Sequence, residues 1–235
     1  MNQTWTAWTC LMAIATGAAA APMGPVKPSA GRFSIGLEGD VSARRMEWEG
    51  GSSVETDYGS AGIMGRVSYG FTERAEVWGR FGYASLILQD PTPPRTTVEF
   101  DNAFAWGVGG GGIAMDQENW NLAIQGNYNS HGDHALQGLS SGSFDATWSD
   151  WNIGVQAQGK YDAFMPYIGL RYSDATAEYS GIFVAALGGG FDDNAQTNFG
   201  IYGGFGYDFS PEFSAYLDGR VIDELGIGGG LKYSF

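Results

Sequence analysis

The sequence predicts an all-β fold, a transmembrane antiparallel up-and-down β-barrel of ten strands, on three observations. Apolar and polar residues alternate with period two in segment after segment, the connections between segments are alternately short and long, and the chain stops on an apolar strand ending in Phe235. In that last strand Leu225, Ile227, Leu231, Tyr233 and Phe235 share one face, while Gly226, Gly228, Gly230, Lys232 and Ser234 share the other. Alternation alone also fits a soluble sandwich, so the connection lengths and the placing of aromatics carry the choice.

Composition sets the frame. The 235 residues include 38 Gly and are 14% aromatic but only 16% charged, and no composition shift divides them, which predicts one domain. Outside the N-terminus there is no apolar run of roughly 18 residues or more, so any membrane crossing is made by strands. Residues 1–20 carry an apolar core from Trp8 to Ala15 followed by Ala18-Ala19-Ala20, the pattern of a signal peptide cleaved after Ala20. The one cysteine, Cys10, falls inside that peptide, so the mature chain is free of thiols, as suits an oxidising periplasm. Residues 21–31, with Pro22, Pro25 and Pro28, read as an extended Pro/Gly-rich lead-in, and the barrel is expected over 32–235.

The strands follow in order. Over 32–45, Phe33, Ile35, Leu37, Val41 and Ala43 oppose Ser34, Glu38, Asp40, Ser42 and Arg44. Over 61–71, Ile63, Val67, Tyr69 and Phe71 oppose Met64, Arg66 and Ser68; over 75–88, Val77, Phe81 and Tyr83 oppose Glu76, Trp78 and Arg80. Pro91, Pro93 and Pro94 break the pattern, since a residue without an N–H has no place in a central strand. Strand 103–114 sets Phe104, Trp106 and Val108 against Gly and Ala, 120–129 sets Trp120, Leu122, Ile124 and Tyr128 against Asn and Gln, and 148–159 sets Trp151, Ile153 and Val155 against Asp150, Asn152 and Gln156. The remaining strands are 164–173, 197–209, 213–221 and 225–235. A barrel of eight is the alternative if the glycine-rich or the short strand is misread.

Connections at 72–74, 116–119, 160–163 and 210–212 are tight, whereas 46–60, 88–102, 130–147 and 174–196 are long, the asymmetry of periplasmic turns against extracellular loops. Outward aromatics gather near the tight turns (Tyr69, Phe71, Trp120, Phe164, Tyr207, Phe209, Phe213, Tyr233, Phe235), with a second group at Tyr83, Phe104, Tyr128, Trp151 and Tyr172. Two such levels are expected of girdles at the two membrane surfaces.

On these patterns the chain resembles the small bacterial outer-membrane β-barrel superfamily, which includes the OmpA transmembrane domain, OmpW and opacity-type proteins. Gly230, Tyr233 and Phe235 fill the glycine and aromatic places of that group's C-terminal signal, and Gly228 departs from it where a polar residue is usual. The resemblance implies export to the Gram-negative outer membrane, recognition of those three residues by barrel-assembly machinery, and a lipid and lipopolysaccharide environment.

Charge maps unevenly. Five long-side connections hold 15 acids (Glu47, Glu49, Glu55, Asp57, Asp90, Glu99, Asp101, Asp133, Asp145, Asp174, Glu178, Asp192, Asp193, Asp223 and Glu224) against Arg95, so the net charge of −14 sits on the outer rim. Acidic loops facing lipopolysaccharide invite bridging divalent cations, with the adjacent Asp192 and Asp193 as possible loop contacts, against the plainer reading that they serve solubility. The sign disfavours nucleic acid. Inside, Glu38, Asp40, Glu76, Asp150, Asp208 and Asp218 face Arg44, Arg66, Arg80, Arg171, Arg220 and Lys232, a lumen charge network in which pairing is the structural expectation and a narrow pore the functional alternative.

His131 and His134 lie in the third long connection near Asp133 and Asp145, where a rim hydrolase, either a protease or a lipid A deacylase, would carry its base. The spacing matches neither of those groups, and no catalytic residue, cofactor or firm metal site is expected. Gly109–Gly112 lacks a following helix and reads as strand curvature or packing rather than a phosphate cradle. The apolar run 182–187 has three readings: an extension of a hairpin, a plug, or a contact surface. The expected role is a non-enzymatic outer-membrane barrel with acidic extracellular loops and a structural or surface-interaction part, the alternative being a passive pore for small solutes.

Overall fold

A computed structural model of the chain describes residues 22–48, 55–89, 97–138, 142–182, 185 and 191–235. Among the described residues there are twelve strands: β1 (Phe33–Trp48), β2 (Glu55–Thr72), β3 (Ala75–Gln89), β4 (Thr97–Glu99), β5 (Ala103–Asp116), β6 (Trp120–Ala135), β7 (Asp145–Gly159), β8 (Phe164–Ser180), β9 (Phe191–Ala195), β10 (Phe199–Asp208), β11 (Phe213–Val221) and β12 (Leu225–Ser234). Ten of them close a ring, each antiparallel to the next, in the order β1-β2-β3-β5-β6-β7-β8-β10-β11-β12 and back to β1. The seam is made by β1 and β12, in register from Ser34↔Ser234 to Ala43↔Leu225. The tight turns all lie at one end, where β2 meets β3 and β6 follows β5.

The facing assigned by alternation holds on every wall strand. Ile63, Phe81, Tyr83, Phe104, Ile153, Ile168 and Leu170 are each more than half exposed on the outside, while Glu38, Arg80, Asn129, Gln156 and Arg220 are buried inside. Outward aromatics touch one another at two levels. At the turn end Phe33 packs on Tyr69 at 4.7 Å, and Phe209 lies 5.0 Å from Tyr207 and 5.4 Å from Phe213. At the other level Tyr83 meets Phe104 at 6.2 Å and Trp151 meets Tyr172 at 5.5 Å. Tyr83 pairs with Ile63, eight positions along β2 from Phe71, which for a tilted strand separates the levels by about 20 Å, close to the height of an apolar membrane band.

Several strands run past the upper level. β2 begins at Glu55 rather than 61, β6 ends at Ala135 rather than 129, and β8 ends at Ser180 rather than 173. These extensions bury a second kind of interior: Met46, Tyr58, Leu86, Phe100, Ala146, Trp148, Ala175, Ala177 and Tyr179 form one apolar cluster across the mouth. Their outward neighbours are polar, with Arg45 bound to Asp57 at 3.1 Å and Thr147 donating to Asp133 at 2.9 Å. β10, β11 and β12 are only nine or ten residues long, and above them β9 completes the wall by pairing with β8 on one side and β1 on the other.

Candidate functional site

The lumen below the mouth cluster is filled by side chains in two charged groups and an amide wall. Nearer the turns, Glu38 accepts from Arg66 at 2.9 Å and from the Tyr216 hydroxyl at 2.6 Å, and pairs with Arg80 at 2.9 Å; Lys232 reaches Glu76 at 3.1 Å. The Arg66 guanidinium lies 4.2 Å above the Trp78 ring. Gly109 makes room for that indole, because a Cβ there would collide with the Trp78 ring nitrogen. In the upper group Arg171 binds Asp223 and Glu224 at 2.6 and 2.8 Å, and Arg220 binds Asp40 and, at 3.1 Å, Glu224. Arg44 crosses from β1 to donate to the carbonyls of Ser173 and Thr197 at 3.2 and 3.0 Å. On β6 and β7, Asn127 and Asn152 exchange hydrogen bonds, Asn129 donates to Asp150 at 2.9 Å, and Gln125 donates to Gln156 at 2.7 Å.

A network of this kind inside and an apolar belt between two aromatic levels outside fit one environment only, since buried charges need partners and an exposed hydrocarbon band needs lipid. The chain is a transmembrane β-barrel. All twelve residues of the expected lumen network lie on the inner face of the barrel, Asp208 and Lys232 near its turn end where Asp208 meets Lys27. No protein-family model matches the sequence, and no curated protein matches it. Among solved structures it is similar to the outer membrane protease OmpT from Escherichia coli (12% identity over 87% of this chain and 96% of that one, TM-score 0.45), to Ail, the attachment invasion locus protein of Yersinia pestis (13%, 88% and 100%, 0.43), and to the outer membrane protein OprG from Pseudomonas aeruginosa (13%, 89% and 98%, 0.43). At these identities the likeness is one of fold.

The barrel also holds what sequence reasoning placed outside it. Asp223 and Glu224, assigned to the outer rim, turn inward and are each 3% exposed. The β11–β12 turn is short because it folds into the lumen, and Gly200 leaves the space that the Asp223 carboxylate fills. The proline-rich segment is inside too: Met23 and Val26 are 0% and 2% exposed. Three prolines deny it a place in the sheet, so its remaining backbone groups bond to the lumen walls. Met23 N–H donates to Asp218 at 2.6 Å, Val26 N–H donates to Gln158 at 2.7 Å, and Gln125 donates to the Met23 and Gly24 carbonyls.

The rim residues separate rather than converge. His131 and His134 belong to β6, not to a loop, and both are buried, their rings 5.7 Å apart. Residues three apart on a regular strand face opposite ways; a bulge between them turns both inward. Asp133 stays outside, where it accepts from Thr147, and Asp145 accepts from the Gly142 N–H at 2.7 Å. Burial pulls the His134 imidazole below its ordinary value against the Asp101 carbonyl that faces Nδ1 at 2.9 Å. Asp192 and Asp193, offered as a shared cation contact, are successive strand residues and point to opposite sides: Asp192 is exposed, while Asp193 is buried and accepts from the hydroxyls of Tyr58 and, at 3.3 Å, Tyr179. Burial pushes the Asp193 carboxyl up to about 6. Among the described residues no three His, Cys, Asp or Glu side chains gather to hold a metal ion. Of the apolar run 182–187, Ile182 is exposed, and residues 183, 184, 186 and 187 lie outside the described residues, as does Glu49.

Proposed function

We propose that this barrel is a non-conducting protein of the Gram-negative outer membrane, structural or surface-interacting rather than enzymatic. The observation that carries the reading is the filled axis: residues 22–28 occupy the turn half of the lumen, ion pairs the middle, and the apolar cluster the mouth. Opening such a path would strand charges and apolar side chains together, which is costly. Refolded protein in a planar bilayer should give no stable conductance. Steady channels from the complete chain would instead establish the passive pore.

Two partners belong to the same reading. The outward carboxylates above the belt, Glu47, Glu178 and Asp192 among them, face the level of lipid A phosphates, and divalent cations between the two would relieve the repulsion. Protease resistance of the mouth in lipopolysaccharide membranes should then rise with millimolar Ca²⁺ or Mg²⁺. At the other end Tyr233 and Phe235 stand exposed on the closing strand, where barrel-assembly machinery would bind them together with Gly230; deleting Phe235 should lower the amount of membrane-inserted protein.

A further inference from the structure

The short strands leave a fault in the barrel wall. β12 starts at Leu225, paired with Ala43, and β9 takes up β1 only from Met46, paired with Ala195. Between these pairs Arg44 and Arg45 have no ladder partner on that side, and one bond, from the Gln196 N–H to the Arg45 carbonyl at 3.3 Å, spans the gap. The β11–β12 turn does not fill it, because Asp223 and Glu224 fold into the lumen. What remains is a cavity of about 390 Å³ at the upper end of the apolar belt, with Arg44, Tyr58, Thr197, Ile222 and Asp223 among its walls.

Arg44 stands apart from the other charges of that cavity. Its side chain is buried and donates only to carbonyls, those of Ser173 and Thr197, while its Nε–H meets no acceptor among the described residues. The described carboxylates that line the cavity each have a guanidinium of their own: Asp57 has Arg45, Asp223 has Arg171, and Glu224 has Arg171 and Arg220. Protonating any of these acids would make the cavity more positive, so its preference for an anion does not depend on their ionisation.

Below the cavity the outer wall carries a groove. On β1, β2, β3 and β12 the cavity is floored by Ala43, Gly59, Ile87 and Leu225; the next outward residue down each strand, Val41, Ala61, Ser85 and Ile227, lines a second hollow that continues to Gly39 and Gly229. From Ala43 to Gly39 the strand covers roughly 13 Å. The upper aromatic level is interrupted here. Between Phe199 on β10 and Tyr83 on β3, the outward residues within 217–221, 225–229, 39–45 and 57–63 include no aromatic ring, and the small ones leave room against the wall.

We propose that this fault is a lipid site, in which an amphiphile of the outer leaflet sets an oxyanion head, carboxylate or phosphate, against Arg44 and lays one acyl chain down the groove over Ala43, Ala61 and Gly39. An oxyanion suits a guanidinium that has an unused N–H and no carboxylate, since charge-assisted hydrogen bonds are the strong ones. The groove adds apolar area that a free phosphate cannot use. The site requires the barrel to lie in a membrane and is indifferent to whether the lumen conducts, so bilayer current and lipid labelling succeed or fail separately.

The test uses the full chain refolded in phosphatidylcholine vesicles and palmitate that carries a diazirine near the end of its tail. Irradiation should label residues 39–45 and 57–63, read by peptide mass spectrometry, at least about tenfold more than 104–108 of β5, whose outward side chains are also exposed. Unlabelled palmitate or lysophosphatidate should displace the probe, the stronger competitor identifying the head group. At the same concentration dodecyl maltoside, a chain without charge, and inorganic phosphate, a charge without a chain, should not. Arg44→Gln should cut labelling about tenfold, the worth of one charge-assisted hydrogen bond. Ala61→Phe fills the groove from the lipid side without touching the lumen, and should cut labelling as far while heat modifiability is unchanged. Even labelling around the barrel, displacement by dodecyl maltoside or by phosphate alone, or undiminished labelling of either variant would overturn the site.

Discussion

Below the upper aromatic level long strands such as β1 and β8 turn polar and charged groups inward and hydrocarbon outward; above it the same strands do the reverse. On β1 the inward series runs Glu38, Asp40, Ser42, Arg44 and then Met46, and on β8 it runs from Arg171 and Ser173 to Ala175, Ala177 and Tyr179. Period-two alternation never stops, but its chemistry inverts where the solvent outside changes from lipid to water. In lipid the outside must be apolar and the inside is free to be polar if every group is paired; in water the inside has to supply the hydrophobic contribution itself. The barrel is a membrane protein for roughly its lower two thirds and a soluble one above, with no break in the strands.

Charge removal should separate the two halves most sharply. Arg220→Ala leaves Asp40, Asp218 and Glu224 facing one another in the lumen, and it should destabilise the barrel by about 3–5 kcal/mol, read as a lowered urea midpoint and lost heat modifiability in detergent. Trp148→Ala should cost about 3 kcal/mol, but in the mouth alone: protease sensitivity of residues above the upper girdle should rise while the belt stays resistant. An equal effect of both changes on both halves would mean that the two interiors unfold as one.

The mouth should also respond to pH in a way the belt does not. The Asp193 carboxyl titrates near 6 when folded and near 3.8 otherwise, so the folded mouth holds that proton more tightly. Its stability should therefore rise, on the order of 1–2 kcal/mol, as pH falls from about 7 towards 4, and Asp193→Asn should abolish the rise. His134 acts the other way. Its folded value lies below the ordinary 6.5, so acidification through that range weakens the mouth, and the Asp193→Asn protein should show this loss alone. The smallest effect is at the boundary between the halves. Ile222 holds φ at 89°, a region costly for a β-branched residue, and Ile222→Gly should raise stability by about 1 kcal/mol in the same urea titration.

What the sequence made legible follows from this inversion. Ten wall strands, their facing and both girdles are readable because apolar positions there point at lipid, the assumption behind the reading. The extensions are hidden because Tyr58, Trp148 and Tyr179 point the opposite way from most apolar residues below them, so the alternation seems to end. His131 and His134 needed a bulge, which leaves no mark in composition. Asp223 and Glu224 look like any acidic turn; only its shortness on the long-loop side hinted at a different place. The prolines of the lead-in excluded it from the sheet, yet nothing local told that its partners, Gln125, Gln158 and Asp218, come from strands a hundred residues or more away.

The closing strand presents glycine to the interior, and that absence of side chains reaches further than packing. Across Gly228 and Gly230, Asp40 and Glu38 of β1 meet Arg220 and Tyr216 of β11, two strands that share no backbone ladder. β12 is thus clasped from above as well as hydrogen-bonded at its edges. An open sheet, with β1 and β12 still apart, leaves Asp40 without the Arg220 guanidinium and Glu38 without the Tyr216 hydroxyl in a non-aqueous setting. Ring closure and charge neutralisation become a single event, which biases assembly against half-zipped intermediates and gives the correct register of the seam an electrostatic check that the glycine strand alone has no means to provide.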